Sequence, residues 1–395
     1  MDPVRNPFAP GAGTPPPELA GRRAIITQAE IVLARAAQRR HAKSFLVIGL
    51  RGVGKTVLLN RIEELARDGG HEVVSIEARE GRPLPELLAQ PLRRALLGLD
   101  RRGAADHIVR RGLAILRSFI GNIKVKHGDV EIGLDIEPET GVADSGDLER
   151  DLTEMLVALG EAAVARATVV CLLIDELQYV KESELGALIM GLHRVAQLRL
   201  PVVFAGAGLP QLVGQMGDSK SYAERLFDFP AVGALSPADA ELAIRQPIEN
   251  EGEKIDAGAV ANILQRSQGY PYFLQVWGYE TWNAADRSPI RSRDVDAAED
   301  AVLANLDQSF FRVRFDRLTP VEKAYLRVMS ELGPGPHRSG EIADALKVKV
   351  QKAAPTRASL IRKGMIYSPD HGDTAFTVPM FDAFMKRQMP DLPSP

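Results

Sequence analysis

A glycine-rich octapeptide has the residue types and spacing that most clearly predict chemistry. GLRGVGKT, from Gly49 to Thr56, fits the pattern G-x-x-x-x-G-K-[ST]. Glycines let the backbone curl until its N–H groups face an anion, and a helix that follows points its positive dipole end at the same place. We expect ATP as the ligand, with Lys55 at its β- and γ-phosphates and Thr56 completing a magnesium shell. The predicted contacts are Gly49, Leu50, Arg51, Gly52, Val53, Gly54, Lys55, Thr56 and Val57.

Two acids end a strongly apolar run later in the chain. VVCLLIDE closes with Asp175 and Glu176, although a buried strand needs no acids. Ligands of open parallel sheets bind beyond the carboxyl ends of the strands. We therefore expect Asp175 to hold the magnesium ion through water, and Glu176 to activate the attacking water as a general base. The alternative is that these acids cap the following helix, a position that acidic residues favour.

The elements around these residues predict a parallel sheet. SFLVIGL precedes the glycine-rich loop as a β-branched strand, a helix follows directly, and HEVVSIEA supplies the next strand. This β-α-β order implies an α/β fold with helices on both faces of a parallel sheet. VVCLLIDE and PVVFAGAG are predicted as further buried strands.

Changes of composition along the chain predict four parts. Residues 1–24 are expected to form an extended proline-rich arm, and residues 25–235 the core, with a hairpin-like insertion at 121–147. Short helices over 236–300 predict a helical lid. Over 301–395, three helices and two strands around a glycine turn follow the order of a winged helix-turn-helix.

Bulk composition excludes several classes of protein. The 395 residues carry a formal net charge of -3, so binding to nucleic acid or to an acidic membrane needs a local patch. The single cysteine, Cys171, lies in an apolar run and fits a buried residue in a reducing compartment. The N-terminus lacks a signal-peptide core, and no window approaches the roughly 18 apolar residues of a membrane span. We expect a cytoplasmic protein without membrane contact.

These motifs together resemble a known group of proteins. GLRGVGKT, LLIDE and PVVFAGAG, followed by a helical lid and a winged-helix-like tail, resemble the AAA+ and STAND branch of P-loop ATPases. Within that branch the chain is most similar to bacterial and archaeal ATPases near the origin-recognition initiators. The resemblance implies an AAA+-like P-loop NTPase fold and slow, magnesium-dependent hydrolysis of ATP that drives a conformational switch.

The resemblance extends to individual residues. LAGRRAI resembles the family segment that contacts adenine, which implies that role for Gly21 and Arg22. SQGYPYFLQ resembles the Gly-x-Pro element of STAND ATPases, whose proline, here Pro271, packs against the nucleotide. SYAERLFDF resembles the region of the arginine finger, which implies that Arg225 acts on the nucleotide of a neighbouring copy. The alternative for Arg225 is an exposed arginine on a helix.

The chain departs from the family at the sensor strand. In the family this strand carries a polar asparagine, serine or threonine, whereas PVVFAGAG offers only Ala205, Gly206, Ala207 and Gly208. The departure bears on the sensing of the γ-phosphate and on the rate of hydrolysis. In the lid, the candidates for a sensor arginine are Arg245 and Arg266.

The tail is basic although the whole chain is acidic. Residues 301–395 hold fourteen Lys and Arg against ten Asp and Glu, a net of +4, which leaves -7 for the remainder. The third tail helix and its approaches carry Lys347, Lys349, Lys352, Arg357, Arg362 and Lys363. Such a helix fits the major groove of double-stranded DNA. The alternative is a packing or protein-docking module with a solvated charged face, because Asp370 and Asp373 in the wing would repel phosphates.

Three functions remain open from the sequence. The first is an ATPase that acts as a nucleotide-driven switch. The second is a DNA-binding regulator that uses ATP mainly for assembly, and the third is a STAND-like signalling or defence regulator with a protein partner. A homo-oligomer is compatible with each of them.

Overall fold

The computed structural model describes residues 1–11, 13–100, 107–127, 137–220 and 223–392. Two compact units make up the chain. The core unit comprises Arg22–Gly49 and Lys55–Val232, and the C-terminal unit comprises Met1–Gly21, Leu50–Gly54 and Gly233–Pro395.

A parallel β-sheet forms the centre of the core unit, as the sequence predicts. Its strands are β1 (Ser44–Gly49), β2 (Glu72–Glu77), β3 (Val170–Asp175), β4 (Val202–Gly208), β5 (Phe227–Asp228) and β6 (Ala231–Val232). The order across the sheet is β2-β3-β4-β1-β5, and β6 also pairs with β1. Every pairing is parallel. β4 therefore lies between β1, which leads into the glycine-rich loop, and β3, which ends at Asp175.

Helices alternate with these strands. They are α1 (Arg23–Ala37), α2 (Lys55–Asp68), α3 (Leu84–Asp100), α4 (His107–His127), α5 (Leu148–Ala165), α6 (Glu182–Gln197), α7 (Leu212–Ser219) and α8 (Ala223–Leu226). The strands SFLVIG and VCLLID are almost wholly buried, which explains their continuous apolar sequences. Cys171 lies in β3 with no exposed surface.

Helix α4 corrects one expectation about the insertion at 121–147. The alternation in GNIKVKH suggested that helix ends at residue 120, but α4 continues to His127. The preceding turns of α4 pack against α3 and α5, and that packing outweighs the weak helix preference of the last residues. Of the rest of this expected hairpin-like insertion, residues 128–136 lie outside the described residues, and residues 137–147 form turns and irregular structure without a strand.

After Gly233, the C-terminal unit continues with a bundle of helices. The lid region contains α9 (Pro237–Asn250), α10 (Ala257–Ser267), α11 (Pro271–Ala284) and α12 (Ser292–Asn305). A π-helical segment, Leu306–Phe311, continues α12 directly and leads into the short helix α13 (Arg312–Phe315). Such π-helical turns are rare and concentrate at functional positions.

The tail of the C-terminal unit combines four helices with a small sheet. The helices are α14 (Pro320–Glu331), α15 (Ser339–Ala345), α16 (Val350–Arg362) and α17 (Phe381–Gln388). The strands β7 (His337–Arg338), β8 (Ile366–Tyr367) and β9 (Asp373–Phe376) form an antiparallel sheet in the order β7-β9-β8. Thr319 caps α14, and Glu322 completes the capping box.

The N-terminal arm lies along α11. Phe8 is buried, and a methyl group at Gly278 would stand 2.7 Å from its ring, so only glycine allows this approach. The indole of Trp282 donates to the carbonyl of Asp2 at 2.9 Å, and the Asn6 amide donates to the carbonyl of Tyr279 at 3.0 Å. The arm is thus held by specific contacts within this unit. Among the described residues, every helix is too short or too polar to cross a lipid bilayer.

Candidate functional site

A hydroxyl and a carboxylate meet at the edge of the core sheet. The Oγ1 of Thr56, in the first turn of α2, donates a hydrogen bond to Oδ2 of Asp175 at 2.5 Å. The two residues are 119 positions apart in the chain, and the fold brings them together as the sequence predicts. A hydroxyl oxygen beside a carboxylate is a hard oxygen donor set, which suits magnesium.

The environment of Asp175 disfavours its ionised form. Burial raises the pKa of the Asp175 carboxyl, and the nearby charge of Glu176 raises it further. Hydrogen bonds from the Thr56 hydroxyl and the Glu176 backbone N–H oppose this shift, as does the charge of Lys55. A buried carboxyl with a raised pKa is typical of functional sites, where a bound cation supplies the missing charge.

Lys55 starts α2 and is buried, with 5% of its surface exposed. The loop that precedes it requires glycine at two positions, because Gly52 has φ +80° and Gly54 has φ +93°. Val53 between them is buried. The backbone curl that the motif predicts is therefore present, with a cationic side chain at its end.

Glu176 adopts an unusual backbone conformation directly after β3. Its φ of 53° and ψ of 38° are left-handed, which costs a side-chain-bearing residue about 1–2 kcal/mol. Its N–H donates to Oδ1 of Asp175 at 2.8 Å, and its side chain is half-buried. The Nε2 of Gln178 donates a hydrogen bond to Oε2 of Glu176. Glu176 is thus not the cap of a long helix, since only the 3₁₀ turn Leu177–Tyr179 follows.

The end of β4 is apolar, as its sequence indicates, but a polar side chain reaches it. Oε1 of Gln178 accepts a hydrogen bond from the backbone N–H of Leu209 at 3.1 Å. Gln178 was not among the residues predicted from the sequence. A polar residue two positions after the acidic pair was the only available signal, and it does not indicate which strand end the side chain contacts.

Loop residues 50–54 pack against aromatic side chains within the C-terminal unit. A methyl group at Gly52 would stand 3.2 Å from the rings of Phe310 and Tyr270 and 3.3 Å from Cβ of Tyr272. The backbone N–H of Tyr272 donates to the Gly52 carbonyl at 3.2 Å, and the Tyr270 hydroxyl donates to the Arg51 carbonyl. Both of these hydrogen bonds are accepted by carbonyl groups of the loop.

The tail also contacts this loop. Nε of Arg51 donates to the carbonyl of Gly364, after α16, at 3.3 Å. The ring of Tyr272 stacks on Phe310 in the π-helical segment, with centroids 4.5 Å apart. Phe310 in turn meets Phe311, whose ring lies 5.1 Å from that of Phe384 in α17. An unbroken series of rings therefore runs from the loop to the tail.

The residues assigned by resemblance occupy separate places. Gly21 has φ +68°, and a methyl group there would stand 2.9 Å from Oδ2 of Asp239, in the C-terminal unit. Arg22 precedes α1 in the core unit. Pro271 is the first residue of α11, next to the two tyrosines that contact the loop. Their roles toward a nucleotide stay predictions.

The candidate arginines differ in their surroundings. Arg225 is exposed on the single-turn helix α8, and its role in a neighbouring copy stays a prediction. Arg245 binds Glu241 and the carbonyl of Ile255. Arg266 binds Asp296 and Glu299 and lies 5.2 Å from the ring centroid of Trp277. Arg266 therefore joins α10 to α12, and Arg245 joins α9 to the segment before α10.

The basic residues of the tail are of two kinds. Arg357 donates to the Thr374 hydroxyl at 2.7 Å and to the Asp373 carbonyl at 2.7 Å, so it fastens α16 to the small sheet. Lys363 binds Glu322 at 2.7 Å. The remaining basic residues of this group are exposed, and they are Lys347, Lys349, Lys352 and Arg362.

The sheet, the curled loop and the acidic strand end define the α/β fold of P-loop ATPases. Residues 18–205 match the family model described as AAA ATPase domain. Residues 308–385 match a model described as Domain of unknown function (DUF8462). No curated protein matches the chain.

Several solved structures match the chain at low sequence identity. The Walker-type ATPase paby2304 of Pyrococcus abyssi matches with a TM-score of 0.58 and 15% identity, over 94% of this chain and 98% of that one. The Aeropyrum pernix ORC1 protein in complex with DNA gives 0.48 and 15%, over 97% and 96%. The Thermotoga maritima RuvB Holliday junction branch migration motor gives 0.45 and 15%, over 90% and 92%. The likeness to the Pyrococcus abyssi ATPase is one of fold.

Proposed function

We propose that the chain binds ATP with magnesium, hydrolyses it slowly, and uses it as a conformational switch. The observation that carries the proposal is the packing of loop residues 50–54 against lid and tail side chains within one unit. The same loop continues covalently into Lys55 and Thr56 of the core unit. A ligand that reshapes the loop must therefore change its contacts with Tyr270, Tyr272 and Phe310.

The chemistry follows from the residues of the core unit. Lys55 and the loop N–H groups would neutralise the phosphate oxygens. Thr56 and Asp175 would hold the magnesium ion, which when bound supplies charge neutralisation at the β- and γ-phosphates. Glu176 would take the proton of the attacking water as general base. Ionisation of Asp175 is favoured once a cation offsets the effect of its burial.

The free energy of the loop contacts is similar in size to the free energy that nucleotide binding can supply. Two hydrogen bonds from the tyrosines, one from Arg51 and the stack of Tyr272 on Phe310 contribute about 1 kcal/mol each, or about 4 kcal/mol together. ATP at about 1,000 times its dissociation constant stabilises the bound state by about 4 kcal/mol. Nucleotide binding is therefore strong enough to rearrange these contacts, provided that it prefers one state.

Hydrolysis is tested by Glu176→Gln. We expect the variant to bind a fluorescent ATP analogue like the wild type while steady phosphate release falls about 100-fold or more. Unchanged turnover would remove Glu176 from the role of general base. Failure of the wild-type protein to bind adenine nucleotides would refute the whole proposal.

Switching is tested with the natural fluorophores of the lid. The chain has two tryptophans, and both Trp277 and Trp282 lie in α11. We expect their emission to change when magnesium and a non-hydrolysable analogue bind. Tyr272→Ala should keep analogue binding and lose most of this change, whereas Tyr279→Ala, on the same helix, should retain it. Tyr272→Ala removes the ring that stacks on Phe310 but keeps the backbone N–H that donates to Gly52. Equal signals in both variants would therefore show that the stack of Tyr272 on Phe310 does not transmit the nucleotide state.

DNA binding is the second candidate function, favoured by the exposed lysines before and within α16. Duplex DNA should bind more weakly as salt rises, and Lys349→Ala with Lys352→Ala should lower both the affinity and the salt dependence. Lys386→Ala with Arg387→Ala, two exposed residues of α17, is the matched control because it removes the same number of positive charges. Binding that is absent at low salt would exclude this function.

Assembly into a homo-oligomer completes the proposal. The exposed position of Arg225 is compatible with contact to a neighbouring copy, where an arginine finger is worth on the order of 10³–10⁵ in rate. Light scattering with and without a non-hydrolysable analogue measures the assembly. Hydrolysis that is independent of protein concentration and unaffected by Arg225→Ala would refute the role in trans.

A further inference from the structure

Gln178 connects the acid at the end of β3 to the end of the neighbouring strand β4. Its Nε2 donates to Oε2 of Glu176, and its Oε1 accepts from the N–H of Leu209 at 3.1 Å. The direction of the amide follows from its partners. A backbone N–H can only donate and a carboxylate can only accept, so the oxygen must face Leu209 and the nitrogen must face Glu176.

The apolar end of β4 makes room for this bridge. A methyl group at Gly208 would stand 3.1 Å from Oε1 of Gln178 and 2.6 Å from Leu212. A methyl group at Gly206 would stand 2.3 Å from Cδ1 of Leu177. Because side chains two apart share a strand face, both glycines border the turn that carries Gln178. The end of β4 carries no polar side chain of its own. The polar group at this place is the amide of Gln178, which lies in the turn after β3.

Several constraints converge on the carboxylate of Glu176. Its backbone is left-handed, its N–H is held by Oδ1 of Asp175, and its carbonyl accepts from Tyr179 N–H at 3.0 Å. These bonds fix the main chain but leave the side-chain torsions to be set by other contacts. The amide of Gln178 supplies one such contact, and its far end is anchored to the rigid sheet through Leu209.

We propose that Gln178 is a positioning residue for hydrolysis. It holds the carboxylate of Glu176 at a fixed position relative to the end of β4. This inference rests on the proposed function and specifies how the general base is oriented. Gln178 is neutral and takes no proton in the reaction. It acts through Glu176, so its loss should lower turnover without weakening nucleotide binding.

Two replacements separate the ends of the bridge. Gln178→Glu keeps an acceptor for Leu209 N–H but removes the donor to Glu176, and Gln178→Met keeps the length and removes both contacts. We expect turnover at saturating ATP to fall about 10- to 100-fold in each, as for a misplaced catalytic group. The dissociation constant of a non-hydrolysable analogue should change less than about threefold. Gln197→Met, at the exposed end of α6, is the matched control and should behave as the wild type.

A double-mutant cycle distinguishes positioning from a general structural effect. In the Glu176→Gln background, Gln178→Met should change the residual rate, measured over hours with excess protein, less than about twofold. An additional tenfold loss in that background would overturn the inference, as would wild-type turnover in Gln178→Met. If Glu176→Gln itself turns over normally, the role of Glu176 as general base fails instead. Equal rates of Cys171 labelling in all variants exclude misfolding of the core unit as the cause.

Discussion

Replacement of Glu322 by glutamine tests how the tail is held together. Glu322 is 5% exposed as a side chain and lies at the start of α14. It accepts hydrogen bonds from Lys363 Nζ at 2.7 Å, from Thr319 N–H at 2.8 Å and from the Ser359 hydroxyl at 2.8 Å. Burial alone would raise the pKa of Glu322, but these bonds outweigh it and lower the pKa to about 2 from 4.5.

The expected magnitude follows from this shift. The lowering of the pKa from 4.5 in the unfolded chain to about 2 in the folded one corresponds to roughly 3 kcal/mol of stability at pH 7. Because the folded pKa is the lower one, this stability is present above pH 4.5 and is lost as pH falls toward 2. Only about 1 kcal/mol should remain at pH 3. Glu322→Gln should therefore be much less stable than the wild type at pH 7 and closer to it at pH 3.

Tryptophan fluorescence during urea unfolding measures the effect, since both tryptophans lie in the C-terminal unit. The matched control is Asp316→Asn, which breaks the exposed pair between Asp316 and Arg312. That change should cost less than about 1 kcal/mol at either pH. A difference between the wild type and Glu322→Gln below 1 kcal/mol at pH 7, or one that does not shrink with pH, would refute the reasoning.

Three further predictions use the core and the loop. Burial raises the pKa of Cys171 to about 12, so an aromatic disulfide should label it about 1,000-fold more slowly at pH 8 in the native protein than in urea; rapid native labelling would contradict its place in β3. Asp175→Asn should stabilise the nucleotide-free core, seen as slower Cys171 labelling, and should abolish magnesium-dependent ATP binding. Because the pKa of Asp175 is raised in the folded protein, this gain in stability should shrink as pH falls and the wild-type carboxyl becomes protonated. In urea unfolding without nucleotide, Gly52→Ala should destabilise the C-terminal unit by about 1–3 kcal/mol more than Gly54→Ala, because a methyl group at Gly54 would meet no described atom within 4 Å. Phe310→Ala should reduce this difference, and equal losses of stability in the two glycine variants would exclude the contact between Gly52 and the rings.

The sequence predicts the structure best where the residues that bind a ligand also need a particular backbone conformation. Glycines at 52 and 54 are required by their positive φ angles, so the motif that contains them predicts the loop without knowledge of the rest. The approach of Thr56 to Asp175 was also predictable. Parallel strands end at one edge of a sheet, and both residues follow such ends.

Long-range packing left no comparable signal in the sequence. Tyr270 contacts Arg51 across 219 positions, and Arg51 contacts Gly364 across 313. Nothing in the glycine-rich motif indicates which side chains will cover its carbonyls. The local pattern was misleading at residues 121–127, because alternation suggests a strand while the packing of the preceding turns favours continuation of α4. The bridge by Gln178 depends on two glycines in another strand, which no local pattern reveals.

The packing of Phe8 against Gly278 makes it possible to follow the motion of the lid with a label on the N-terminal arm. Residues 1–8 are fastened to α11, yet Val4 on this segment is 92% exposed. A dye attached at Val4→Cys, in a chain whose Cys171 is inaccessible, would be carried by the lid without touching its core. Such a label would let single molecules be watched as they cycle between their nucleotide states.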